Sequence, residues 1–489
     1  MTASTSGERT YARATWLFLR LLGLVYLVAF WSAGSQILGL VGHDGILPAD
    51  QYMRVLAAAV PGVSRFWLVP TLTWFSASDT ALRVLCTGGV LLSLFLVVGI
   101  LPAVVLPLLW ILYLSLSVVC QEFLSYQWDA LLLETGFLAI FLAPLTFRER
   151  PRALTSPPRI LVWLFLWLLF RLMVGSGAVK LASGDPTWRH LTALSFHFET
   201  QPIPTPLAWY ANRLPLWFLK LSTVFVFVVE MGAPYLIFGT RQLRVLAFAL
   251  LVGLQLIIAL TGNYAFFNLL SAALCVFLLD DVTLGPWTRL AVSPEPANQT
   301  RRVVAIVLTA VTVPLSATAF AGSLGIALPI APIVNPVMEF VTPFRSVNAY
   351  GLFAVMTTTR PEIVIEGSED QTTWVEYEFK YKAGDLHRRP PWVAPHQPRV
   401  DWQMWFAALG RFDEERWFQN LCVRLLENDR QVLQLLERNA FEGRAPKYLR
   451  AVLYQYRFSS ADIRRRDGVW WSRERLGDYS PVLSLNERP

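Results

Sequence analysis

"RILVWLFLWLLFRLMVGSGAVKLASGDPTW", Arg159 to Trp188, runs apolar for some twenty residues, yet carries Arg171 in its middle and Lys180 near its end. Its apolar part, Ile160–Leu181, is long enough to cross about 30 Å of hydrocarbon, which takes roughly 17–25 residues. Working outward from it, similar runs recur at Trp16–Val41, Ala81–Ile100, Leu101–Cys120, Tyr126–Phe147, Leu216–Phe238, Leu243–Leu260, Tyr264–Leu279 and Val303–Leu324. The expectation is a polytopic α-helical membrane protein of about nine transmembrane helices. The second and third runs are parted only by "GILP", a tight reversal because Pro102 cannot continue a helix. Trp16–Val41 is too long for a signal-peptide core and reads as a signal anchor.

Composition agrees. Of 489 residues 54% are apolar and only 16% charged, against about 25% charged in soluble domains, and the mean hydropathy is +0.44. The net charge of +7 does not signal nucleic acid, because the arginines gather in loops between spans, as membrane topology requires. Cys86, Cys120 and Cys275 lie inside apolar runs, Cys422 stands alone, and there is no C-x-x-C pair, so neither a disulfide nor a zinc site is expected. The short basic loops Arg148–Arg159 and Arg241–Arg244 agree in parity and place themselves and the N-terminus in the cytoplasm. An odd number of spans then puts the tail on the far side.

Beyond "PIAPIVNP" (Pro329–Pro336) the composition turns polar and aromatic. The division expected is a membrane domain over 1–330 and a C-terminal extracytoplasmic domain over 331–489. In the latter "EIVIEGS" and "TWVEYEFKY" flank a turn, the second alternating with period two. A helical stretch (Asp401 to Asn439) follows, then the strands "KYLRAVLYQYRF" and "GVWWSRERL". This reads as a β-rich, sandwich-like domain with inserted helices.

An ionisable side chain within hydrocarbon costs about 2.5–3.5 kcal/mol on insertion scales, so each is a functional candidate. They are Asp129 and Glu134 in the fourth run, Arg171 and Lys180 in the fifth, and Glu230 in the sixth. At 1.5 Å per residue on antiparallel neighbours, Glu134 matches Arg171 in depth and Asp129 matches Lys180, which predicts two stacked ion pairs. Lys180, among small residues, also has the surroundings of a desolvated base, or it snorkels to the interface. "GSGAVK" is no phosphate loop. The following loop offers Asp185, Trp188, His190, His197, Glu199 and Gln201 as a client or substrate surface. The histidines lack a third ligand at helical spacing, so no metal is expected. Trp392, His396, Trp402 and Trp405 mark a tail surface packed against a partner or against the membrane domain. No catalytic triad, H-E-x-x-H or dinucleotide fingerprint occurs in a fitting context, and no cofactor is expected.

Three blocks carry a resemblance: "FLSYQWDALLLETGFLAIFLAP" (Phe123–Pro144), "RLMVGSGAVKLASGDPTWRHLTALSFHFETQPIPTPLAWY" (Arg171–Tyr210) and Arg360–Gly410. They resemble the lipase maturation factor family. The resemblance implies a multi-pass protein of the endoplasmic reticulum membrane that helps secreted dimeric lipases fold and assemble, with loop and tail in the lumen. A fainter likeness, to the membrane domain of vitamin K-dependent carboxylases, rests on Gly177, Lys180, Leu181 and Trp188. It implies an alternative, a membrane-embedded enzyme using Lys180 as base in an outward-facing cavity. The ending "SLNERP" has no retention signal, and lysine occurs only at 180, 220, 380, 382 and 447. Those features fit a bacterial member, whose membrane would be the plasma membrane. A transporter would want paired broken helices in two halves, and none is seen.

Overall fold

The computed structural model describes residues 9–149, 153–288, 290–293, 299–441 and 443–485. Part of the basic Arg148–Arg159 loop therefore lies outside the described residues, as does the end of the chain. Nine helices correspond to the nine apolar runs: α1 (Ala12–Gly34), α2 (Asp79–Val98), α3 (Pro102–Val119), α4 (Gln127–Leu142), α5 (Arg159–Ala182), α6 (Leu216–Phe227), α7 (Arg241–Thr261), α8 (Phe267–Cys275) and α9 (Gln299–Ser323). Among the described residues, seven helices are long and apolar enough to cross a membrane, α6 being counted with its continuation to Phe238. The chain is a multi-pass membrane protein. The other two runs fall short of the expectation for different reasons. Helix α4 has only 16 residues, and its run is cut at Ala143–Pro144, where the backbone turns extended ahead of the proline. Helix α8 ends in a 105° break before Asp281–Trp287. Asp281 there accepts the Ala12 and Arg13 amides at 2.9 and 2.7 Å, so the break supplies α1 with its N-terminal partner. The first run is likewise two pieces, with a short helix Ile37–Val41 after α1.

Within the bundle, small residues set the spacing, as expected where lipid gives helices no hydrophobic reason to associate. A Cβ on Gly89 of α2 would fall 2.3 Å from the Phe30 ring of α1, so those two helices close only because that position is bare. Helix α4 lies deep in the assembly, with Leu131, Leu132, Leu133, Glu134 and Thr135 all fully buried.

Among the described residues, the tail holds one antiparallel sheet of order β2-β1-β3-β4, formed by β1 (Pro361–Ser368), β2 (Trp374–Glu376), β3 (Tyr448–Phe458) and β4 (Trp471–Asp478). The strand positions follow the sequence; the sandwich does not. The alternating run after Trp374 pairs for three residues only. From Glu378 onward its backbone turns to the helical insert, with the Glu378 carbonyl accepting from the Glu437 amide at 2.9 Å. In place of a second sheet, helices Arg399–Ala407 (α10) and Arg416–Leu426 (α11) pack on β1 and β3. Strand β1 is consequently buried along nearly its whole length.

Candidate functional site

The buried charges organise the junction between bundle and tail. Glu134 on α4 meets Arg171 on α5 in an ion pair, as depth matching predicts, with the two side chains 0% and 2% exposed. The pair is not alone. The second oxygen of Glu134 accepts from the Tyr350 hydroxyl at 2.6 Å and the Asn348 amide at 2.9 Å, while Arg171 donates to the Asn348 carbonyl at 3.0 Å.

The expected Asp129–Lys180 pair does not form. Asp129 is gripped in two places by Arg399 of α10, at 2.7 and 2.9 Å, and accepts the Tyr113 hydroxyl at 2.5 Å. This fork-to-carboxylate geometry suits arginine and not lysine. Burial works against the charge on Arg399, but Asp129 beside it more than reverses this and raises the guanidinium pKa above its ordinary value.

Lys180 turns the other way, donating to both oxygens of Glu230 on the α6 continuation at 2.7 and 2.6 Å. Two local features bring them together. Val228–Gly232 is a π-turn, which inserts a residue and re-aims Glu230. Gly177 leaves room for it: a Cβ there would sit 2.5 Å from Met231 and 3.2 Å from the Glu230 side chain. Lys180 also lies 5.2 Å from the Trp188 ring centre. Neither the snorkelling reading nor a free desolvated amine fits a lysine 5% exposed and paired with both oxygens of a carboxylate.

The loop after α5 is held by the tail. Asp185 caps the short helix Pro186–Arg189 through the Thr187 amide at 2.7 Å and accepts the Met356 amide at 2.5 Å. Burial opposes its charge, but those donors prevail and lower its pKa. Trp188 donates to the Phe353 carbonyl at 2.9 Å. Glu199 accepts the Phe458 amide at 2.8 Å, and burial raises its pKa. Gln201 bridges the Tyr264 hydroxyl and the Thr261 carbonyl, both at 2.8 Å. His197 sits 3.2 Å from the Tyr264 hydroxyl, and burial together with Lys180 pushes its pKa down to about 4. His190 is exposed and shares none of this. Among the described residues, no cluster of three metal-ligating side chains occurs.

Of the tail candidates, Trp402 and Trp405 are core residues, 3% and 8% exposed. Trp402 packs on Trp128 with ring centres 4.8 Å apart, and Trp405 donates to the Thr200 carbonyl at 2.8 Å. They face the membrane domain, the second of the two alternatives. His396 bonds the Ser32 hydroxyl at 2.9 Å, and Trp392 is exposed. Sequence reasoning missed Arg399 and Arg360. The latter is fully buried and donates to the carbonyls of Glu199, Gln201 and Pro202 at 2.7, 2.5 and 2.9 Å, clamping the loop from the tail. The available signal was an arginine beside proline, in a tryptophan-rich segment for Arg399 alone, too common a pattern to single out.

Comparison with known proteins finds matches on both sides of this junction. A model described as the lipase maturation factor transmembrane domain matches residues 13–286, and one for the lipase maturation factor C-terminal domain matches 346–481. Lipase maturation factor 2 of Xenopus tropicalis is 36% identical, over 98% of this chain and 83% of that protein. Lipase maturation factor 1 of Bos taurus is 37% identical, over 98% and 91%, and lipase maturation factor 2 of Homo sapiens 36%, over 96% and 82%. No solved structure matches. These matches lend no support to a carboxylase-like reading of Lys180, nor, being to vertebrate proteins, to a bacterial origin. With both family models matched in order and relatives aligned along almost its entire length, the chain belongs to the lipase maturation factor family.

Proposed function

We propose that this protein is a membrane-bound maturation factor whose clients are lipases, acting by binding rather than by catalysis. The observation that carries the reading is the match of spans and tail together to relatives named for that role. The junction is in keeping with it. Lys180 is paired with Glu230, and Asp129, Glu134 and Arg171 are engaged by partners that hold helices and tail together. The test is co-expression with a secreted lipase in cells lacking their own factor. Lipase activity per unit of secreted antigen should rise at least fivefold over the empty vector, and no rise would overturn the reading.

The same proposal puts the protein in the endoplasmic reticulum membrane, with residues 331–489 and the Ser183–Tyr210 loop on the lumenal side. The agreement in parity of the basic loops supports that orientation. All four native cysteines are buried, so single introduced thiols report cleanly. His190→Cys and Thr372→Cys, at exposed positions, should react with an impermeant maleimide added from the lumenal side, and Gln242→Cys should not. Labelling of Gln242→Cys together with either of the others contradicts the topology.

A further inference from the structure

Beneath the loop, helices α5 to α8 enclose a cavity of about 90 Å³. Its polar lining includes Lys180, Glu230, His197 and Tyr264, and Val226 of α6 and Ile258 of α7, both half-buried, belong to its wall. Helix α7 packs on the Val228–Gly232 turn and the Ala233–Phe238 reversal. Nearer the tail, the loop helix Leu194–Thr200 packs on α6 and Pro206–Ala211 on α7, so the loop bridges these two spans above the cavity. Beside the cavity the two spans are lipid-facing: Val224, Phe225, Leu256 and Ile257 are exposed on helices that cross the membrane.

The lining carries no net charge. Lys180 and Glu230 balance each other, and no other ionised side chain borders the cavity. His197 is held neutral by its surroundings. Its tautomer follows from its neighbours. Gln201 donates its amide to the Phe198 and Thr261 carbonyls, so its oxygen accepts the single Tyr264 proton. The Tyr264 oxygen then receives Nε2–H of His197, which leaves Nδ1 an acceptor with no partner among the described residues. A charged group entering here would lack a counter-charge, at high cost in low dielectric. A hydroxyl would find an acceptor.

We propose that the cavity, entered from the bilayer between α6 and α7, holds the uncharged, hydroxyl-bearing head of a single-chain lipid, of the monoacylglycerol type. Nδ1 of His197 accepts from the head, and the acyl chain leaves between α6 and α7, past Val226 and Ile258, into the membrane.

The test uses the full-length protein in nanodiscs and a photoactivatable monooleoylglycerol. Label should map to peptides of α6 and α7. A tenfold excess of unlabelled monooleoylglycerol should cut labelling about tenfold, whereas oleate and lysophosphatidylcholine should leave it within twofold. Val226→Trp and Ile258→Trp, which fill the mouth, should each reduce labelling at least tenfold at an unchanged thermal midpoint. Label that no competitor reduces, or that oleate or lysophosphatidylcholine reduces equally, overturns the proposal. So does full labelling in both tryptophan variants. If those variants do not fold, competition on the unaltered chain decides alone. No client is present, so the outcome is independent of the lipase reading.

Discussion

Asp129→Ala is expected to destabilise the protein by about 3–5 kcal/mol, the usual consequence of stranding one member of a buried pair. Against a total stability of about 5–15 kcal/mol, that removes most of the monodisperse protein recovered in detergent. The stranded group is Arg399, fully buried and left with only the Phe123 carbonyl at 2.9 Å for its side chain. Guanidinium cannot shed its proton to escape. Arg399→Ala should be milder, because Asp129 keeps the Tyr113 hydroxyl and the Tyr126 amide and can accept a proton. Asp129→Ala with Arg399→Met removes both charges while keeping most of the volume. It should recover much of the loss, read as thermal midpoint and as the size-exclusion peak. A double variant as poor as Asp129→Ala would show that the two do not act as a pair.

The second large effect lies one and a half turns further along α4. Glu134→Ala leaves Arg171 with the Asn348 carbonyl alone, whereas Arg171→Ala leaves Glu134 with donors from Tyr350 and Asn348. The order expected is therefore Glu134→Ala worst, Glu134→Gln intermediate, since its oxygen still meets Tyr350 and Asn348 while its NH2 faces an uncompensated Arg171, and Arg171→Ala least affected. Expression of fluorescent fusions followed by thermal challenge ranks the three directly. Equal losses for Glu134→Ala and Arg171→Ala would mean that the Tyr350 and Asn348 donors contribute nothing to holding the acid.

Whether a residue's partner could be foreseen depended on what brings the two together. Glu134 and Arg171 lie on consecutive antiparallel helices, so rise per residue alone equates their depths. Glu230 reaches Lys180 because a π-turn shifts it and Gly177 yields space, and neither feature leaves a periodic trace in the sequence. Arg399 lies 270 residues from Asp129, and no local pattern encodes a contact of that separation. In the tail, the β-strand positions were legible because alternation is local. The single sheet was not, because the choice between a second sheet and a helical cover rests on contacts from Glu378 to Glu437 and from α10 to β1. Trp402 and Trp405 were conspicuous as tryptophans, but their inward orientation depends on the membrane helices they meet.

The distance between Asp129 and its counter-charge has a temporal meaning as well. Ribosomes add about 5–20 residues per second, so the 270 residues separating Asp129 from Arg399 take on the order of 15–50 s to make. Throughout that interval a nascent chain holds Asp129 without its arginine, and for most of it Glu134 also waits for Asn348 and Tyr350. Arrival of the tail neutralises the first and completes the cage around the second. The helix thus keeps a record of its own completion, and a chain truncated between the last span and Ser346 stays marked, within the bilayer, as unfinished.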